Sequence, residues 1–185
     1  MRDPAVSATP GATVWLTGLS GAGKSTIAEA LAEQLRAEDR RVEVLDGDVL
    51  RQGISQGLGF SREDRDTHVR RAGFVASLLS RNGVLTLVPV IAPYAESRAA
   101  VRERHASDGT TYVEVYLSTP VEECRRRDVK GLYAQADAGA ITPMTGAGDP
   151  YEPPTDPDLT IDTTGRELSD VVHGLRTLLH EKGLL

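Results

Sequence analysis

The segment Gly18-Leu19-Ser20-Gly21-Ala22-Gly23-Lys24-Ser25 fits the pattern G-x-x-x-x-G-K-[ST] at every position. Glycines spaced this way let the backbone curl until successive N–H groups point inward, the arrangement that grips a phosphate. Lys24 follows, with the reach to touch the β- and γ-phosphates of a nucleotide. The Ser25 hydroxyl can ligate Mg²⁺, and Thr26 can support the α-phosphate side. The chemistry indicated is the holding of a nucleoside triphosphate.

That motif alone does not separate a kinase from a GTPase or a motor ATPase. No N-K-x-D guanine-specificity signature is present, which weighs against a GTPase. The apolar run Val84 to Ile91 ends without the aspartate that commonly closes that strand in motor ATPases. The acidic residues lie elsewhere, in Leu45-Asp46-Gly47-Asp48. This placement suits a small-molecule kinase, in which an aspartate orients the acceptor hydroxyl and takes its proton. Asp48 is the candidate for that role. Asp46 either holds Mg²⁺ through water or caps the turn that follows.

Arg51 and Arg65 stand a short way downstream, in or beside a glycine-bearing loop. A guanidinium offers phosphate and sulfate oxygens a planar fork, so this pair can clamp an anionic acceptor. Arg70 and Arg71 fall on a helix, where a solvated face is the expected role. Phe60, one of two phenylalanines, can stack on a base or pack in the core. His105 and Cys124 lack metal-ligand spacing and read as structural.

These residues need a frame, and the hydrophobic pattern supplies one. Strands are expected at Thr13–Thr17, Arg41–Leu45, Val84–Ile91, Tyr112–Leu117 and Leu159–Asp162. Helices alternate with them. One carries Ile27, Leu31 and Leu35 on one face. A long one is opened by a Ser61/Asp64 capping box, with Val69, Ala72, Ala76 and Leu79 buried. Pro93 breaks the third strand, and a charged helix follows to about His105. Another opens at Thr119-Pro120-Val121-Glu122, read as N-cap, first-turn proline and capping-box glutamate. The last helix has the stripe Leu168, Val171, Val172, Leu175, Leu178 and Leu179, capped by Thr164 with Glu167. Such alternation implies a parallel sheet with helices on both faces. Residues 130–157, rich in Gly, Pro and Ala, read as an irregular lid over the site. Residues 1–12 read as a flexible arm, and 13–185 as a single domain.

The 185 residues suffice for one such domain with a substantial core. A net charge of −6 argues against a nucleic-acid partner, though local arginines still allow a small anionic ligand. The single cysteine excludes a disulfide within the chain and fits a reducing cytoplasm. No apolar run approaches the ~20 residues that cross a bilayer, and no signal-peptide pattern opens the chain.

The chain resembles the adenylyl-sulfate kinases. The resemblance is carried by GLSGAGKST at 18–26, LDGD at 45–48, LGFSREDR at 58–65, IAPY at 91–94, RDVKGLY at 127–133 and DPYEPP at 149–154. It implies a three-layer P-loop kinase fold with a lid, and transfer of phosphate from Mg-ATP to the 3′-hydroxyl of adenylyl sulfate. It implies that Arg127 joins residues 18–26 in holding ATP, and that Ser25 and Asp46 serve the metal. Asp48, Arg51, Phe60, Arg65, His68, Ile91, Lys130 and Met144 are implied to contact the acceptor, and Lys24, Asp48 and Lys130 to be catalytic. A homodimer is also implied. The family often has serine where Ala92 stands here, asparagine at His68 and at Val49, and phenylalanine at Met144. The alternatives to this reading are a relative acting on another nucleotidyl or phosphorylated metabolite, and a nucleotide-binding module without catalysis.

Overall fold

The computed structural model describes residues 11–139, 144–146 and 148–185. Most of the expected arm thus lies outside the described residues. Its end does not: strand β1 spans Ala12–Gly18, so Ala12 already belongs to the sheet, and its amide donates to Val84 O at 3.3 Å.

Helix α1 (Lys24–Ala37) leads to β2 (Val42–Val44). Two helices follow, α2 (Gly47–Gln52) and α3 (Arg62–Arg81), then β3 (Leu85–Pro89), α4 (Ala95–Ser107) and β4 (Thr111–Leu117). After α5 (Val121–Arg127) comes α6 (Leu132–Asp137), then the two-residue strands β5 (Met144–Thr145) and β6 (Gly148–Asp149). The chain closes with β7 (Leu159–Ile161) and α7 (Leu168–Glu181). The main sheet is parallel, in the order β2-β3-β1-β4-β7. β1 lies at its centre and every one of its residues is buried, as a strand covered on both faces requires.

Two cores flank the sheet. Val14 and Leu16 of β1 pack with Ile27, Leu31 and Leu35 of α1 and with Val172, Leu175 and Leu179 of α7. Trp15 points the other way, toward Val69, Ala72 and Ala76 of α3 and Val101 of α4. Alternation along one strand therefore feeds both layers. On α3, Ser61 caps the helix by accepting from the Asp64 amide at 3.1 Å. Leu79, expected in the buried stripe, is only half-buried; Ser80 takes the inward place and its hydroxyl meets that of Thr13 at 2.8 Å. His105 is wholly buried in the same chain of bonds, with Nε2 2.8 Å from Thr13 Oγ1 and Nδ1 2.8 Å from Val101 O.

Three local expectations are corrected. Thr119 is not a helix cap: α5 begins at Val121 after Pro120 without a side-chain cap, and the Thr119 hydroxyl pairs with that of Thr163 at 2.8 Å. Thr164 does not cap α7 either, because its hydroxyl donates to Asp162 Oδ1 at 2.6 Å. Leu168 at the start of that helix is 40% exposed, so the apolar stripe begins a turn later. In each case a nearer acceptor or a shifted helix start outcompeted the local pattern. The lid is also less irregular than expected, since it holds α6 and the β5–β6 pair.

Gly73 sets how closely α3 and α4 cross. A Cβ there would lie 2.6 and 2.9 Å from the two methyl groups of Val101. Gly73→Ala is expected to destabilise the fold by about 1–3 kcal/mol despite the gain in helix propensity. Adding Val101→Ala should restore part of that loss in a denaturant titration; equal instability of the single and double variants would show that this crossing is not the cause.

Candidate active site

At the carboxyl end of β1 the chain turns through Gly18, Gly21 and Gly23, with φ of 147°, 82° and 96°. The last two angles lie in the left-handed region that side chains disfavour. Gly21 is further required by crowding, because a Cβ there would sit 2.8 Å from Cys124 O of α5. Gly23 leads directly into α1, whose start has no side-chain cap. The free amides and the positive end of the helix dipole converge on one spot, which is an anion site.

That spot opens into a cavity of about 690 Å³. Ser20, Gly21, Gly23, Lys24, Ser25 and Thr26 line one end of it. Gly18, Leu19 and Ala22 do not line it; they form the turn behind. Lys24 is buried and donates to Gly18 O at 2.9 Å and to Leu19 O at 2.7 Å. Burial lowers its pKa to about 8. A phosphate beside it would favour the charged form and draw the ammonium off its carbonyl partners.

The Ser25 hydroxyl donates to Asp46 Oδ2 at 2.6 Å, while Asp46 Oδ1 accepts the Asp48 amide at 2.9 Å. Asp46 therefore caps α2, one of the two roles considered for it, and also accepts from the P-loop hydroxyl. Two protein oxygens at the edge of a phosphate site fit Mg²⁺, which keeps most of its waters and takes its other ligands from phosphates. Among the described residues no cluster of three or more His, Cys, Asp or Glu forms a protein-only metal cage.

Asp48 lines the same cavity and makes an ion pair with Lys130 of the lid. It shares that cavity with Lys24 of the P-loop and with Arg51 and His68. At the far end, Arg51 lies 4.5 Å over the Phe60 ring and donates to Gly59 O at 2.9 Å. Arg65 is buried, donates to Phe60 O and Thr145 Oγ1, and lies 3.5 Å from Asp149 Oδ2. Burial and then the Arg65 charge lower the Arg51 pKa, the mark of two cations facing a space suited to an anion. Phe60 is 58% exposed, which excludes the core-packing alternative. Ile91 and His68 also line the cavity, and the His68 Nδ1 lies 2.9 Å from Ser55 Oγ. The side chain of Met144 lies outside the described residues.

Arg127 is not at the cavity wall. It donates to Gly21 O at 3.3 Å and to Thr163 Oγ1 and O at 2.8 and 3.0 Å, so it braces the P-loop from behind. Arg70 and Arg71 are exposed, in keeping with a solvated face, and Arg71 donates to Ile54 O. Several participants escaped the sequence reading. Tyr133 of α6 donates to Ser20 O at 3.1 Å and ties the lid to the P-loop. Thr145 and Asp149 hold Arg65. Tyr133 and Asp149 both sit inside motifs already picked out, but nothing local marks which neighbour each one reaches.

A sequence profile described as adenylylsulphate kinase matches residues 10–162. The chain belongs to the adenylylsulphate kinase family. It is an enzyme of the phosphotransferase class. An adenylyl-sulfate kinase of Picosynechococcus is 50% identical over 175 residues, covering 95% of this chain and 97% of the relative. The Mycobacterium tuberculosis APS kinase solved in complex with AMPPNP and APS is 46% identical, with TM-score 0.90 over 92% of this chain and 98% of that one. A hexameric APS kinase from Thiobacillus denitrificans is 38% identical, with TM-score 0.73 over 96% of this chain and 30% of that longer one.

His68 gives the site a pH signature. Burial, and next the Arg51 charge, lower its pKa to about 4. The folded state thus binds fewer protons than the unfolded chain, whose histidine titrates near ~6.5. The stability contributed is present above about pH 6.5 and is lost as pH falls toward 4. His68→Asn should therefore show a smaller fall in thermal midpoint over that range than the parent protein. Equal falls would mean that His68 is not buried in its neutral form.

Proposed function

We propose that this family member transfers the γ-phosphoryl group of ATP to the 3′-hydroxyl of adenylyl sulfate, giving 3′-phosphoadenylyl sulfate and ADP. The observation that carries the reading is one cavity lined by the phosphate-gripping turn, by two arginines beside an exposed aromatic, and by Asp48, which pairs with Lys130 of the lid. ATP places its phosphates on the amides of Ser20, Gly21, Gly23, Lys24 and Ser25, with the Lys24 side chain on the β- and γ-phosphates. Ser25 and, through water, Asp46 would hold Mg²⁺, which would supply neutralisation of the phosphate charge. Arg51 and Arg65 take the acceptor's anionic groups, and Phe60 covers its base, with His68 and Ile91 completing that wall.

Asp48 aligns the acceptor hydroxyl and accepts its proton as the oxygen bonds to the γ-phosphorus. The bond from that phosphorus to the bridging oxygen of ADP breaks in line. Lys130 lies across from Asp48 in the lid, where its charge offsets that of the transferring group. Binding of substrate replaces the Asp48–Lys130 pair with contacts to both nucleotides. Among the described residues no helix is long and apolar enough to cross a membrane.

Coupled ADP detection with purified protein tests this. ATP with adenylyl sulfate should release ADP, and other nucleotides in its place should not. Asp48→Ala should lower kcat by about 10²-fold or more while ATP still binds. Lys24→Ala should weaken both binding and turnover, and Arg65→Ala should raise KM for the acceptor more than for ATP. Release with a different acceptor only would favour a relative of altered specificity, and no release with any acceptor would favour a binding module.

We also propose self-association into a homodimer. Phe74 and Leu78 on α3 are 50% and 42% exposed, and Ile54, in the turn after α2 and beside Phe74, is 44% exposed; apolar surface of this kind is what subunits cover. Sedimentation velocity should show a dimer that Phe74→Glu dissociates; a monomer at all concentrations in the unaltered protein would overturn this.

A further inference from the structure

Arg98 lies on α4, one turn beyond the cavity, and is 4% exposed. A buried guanidinium needs a counter-charge and partners for its donors. Glu114 in the middle of β4 supplies the charge, with Oε1 3.1 Å from Arg98 Nε. The remaining donors go to two backbone carbonyls. Nη1 donates to Ala92 O at 2.6 Å, and Nη2 donates to Glu152 O at 2.6 Å.

Those two carbonyls belong to functionally different segments. Ala92 is in the cavity wall beside Ile91, where the acceptor binds in the function proposed above. It is one of three described residues other than glycine with positive φ, at 45°. Such a conformation persists in an alanine only when its surroundings impose it. Glu152 lies where the lid returns to the body of the protein. The same junction is stitched again by Glu152 N to Pro93 O at 2.8 Å and by Ala95 N to Glu152 Oε2 at 2.7 Å. Tyr151, beside Glu152, donates to Thr17 Oγ1 at 2.9 Å, and Thr17 spends its own hydrogen on Ile91 O at 2.5 Å.

We infer that Arg98 is a positioning residue that binds the acceptor wall to the returning end of the lid, holding Ala92 in its strained conformation so that the acceptor pocket is formed before substrate arrives. The planar guanidinium spreads its donors over separate nitrogens, so it reaches Ala92 O and Glu152 O at once while its charge faces Glu114; a lysine carries its three N–H donors on one atom and cannot span these separated partners. Arg98 touches neither the P-loop nor, by its position, either nucleotide. Its loss therefore acts on the acceptor side and spares the ATP side. This inference rests on the acceptor assignment above.

The test is steady-state kinetics of Arg98→Lys with adenylyl sulfate and ATP varied separately. KM for the acceptor should rise by about tenfold, the scale of one lost charge-assisted hydrogen bond, with KM for ATP within about twofold of the parent. Hydrogen exchange in the protein without nucleotides should quicken at the Ala95 and Glu152 amides and not at residues 20–26. Equal rises in both KM values, or no rise in either, would overturn the inference. If Arg98→Lys does not fold, the pair Arg98→Met with Glu114→Gln, which leaves no buried charge unpaired, carries the same comparison. Failure of the parent protein to turn over adenylyl sulfate would instead strike the proposed function, and the exchange measurement would still decide whether Arg98 holds the junction.

Discussion

The structure depends on one constraint: backbone amides at the end of the central strand must be left without internal partners yet held rigidly in place. Gly21 and Gly23 satisfy the first half, since they adopt left-handed angles that leave the N–H groups turned inward. The second half comes from outside the loop. Cys124 O crowds Gly21 from α5, Arg127 grips Gly21 O, and Thr163 accepts Arg127 while donating to Ala22 O at 3.2 Å. Lys24 closes the turn by bonding to its own loop, so its ammonium is stored beside the place where phosphate charge arrives.

From that anchor the position of the acceptor side follows. The strand order brings the ends of β2 and β3 to one side of β1, so Asp46 and Asp48 emerge beside Ser25 and the loop after β3 forms the opposite wall. Open parallel sheets bind ligands at such carboxyl ends. Gly47 fits this crowding, because a Cβ there would lie 3.2 Å from a Val90 methyl group. The lid then adds two bonds of different kind, Tyr133 to the P-loop and Lys130 to Asp48, one buried and one exposed. The buried one fixes where the lid sits; the exposed one is weak enough in water to yield to substrate.

Two of the departures from the family's usual pattern, Ala92 and His68, line the cavity, whereas Val49 is exposed outside it. Ala92 removes a hydroxyl and so precludes a phosphoserine there, while its backbone stays in a left-handed conformation held by Arg98. His68 brings a ring whose charged form burial and Arg51 disfavour, so it serves as a neutral polar group. The phosphate-holding turn carries no such change.

Much of this protein was legible in residue order. The P-loop, the carboxylates of LDGD, the alternation that dictates a parallel sheet, and the Ser61 cap are local patterns, because each is set by backbone conformations and neighbours a few positions apart. What failed locally was capping at Thr119 and Thr164, where hydroxyls chose partners that the pattern did not weigh. The sequence alone determined the chemistry of the phosphate site and the class of fold. Only the tertiary structure decided that Arg127 braces rather than lines, that Phe60 is presented rather than buried, and that Arg98 joins two segments 60 positions apart. The reason is physical: a side chain's role is set by which acceptors come within hydrogen-bonding reach, and for distant segments that is fixed by packing, not by spacing along the chain.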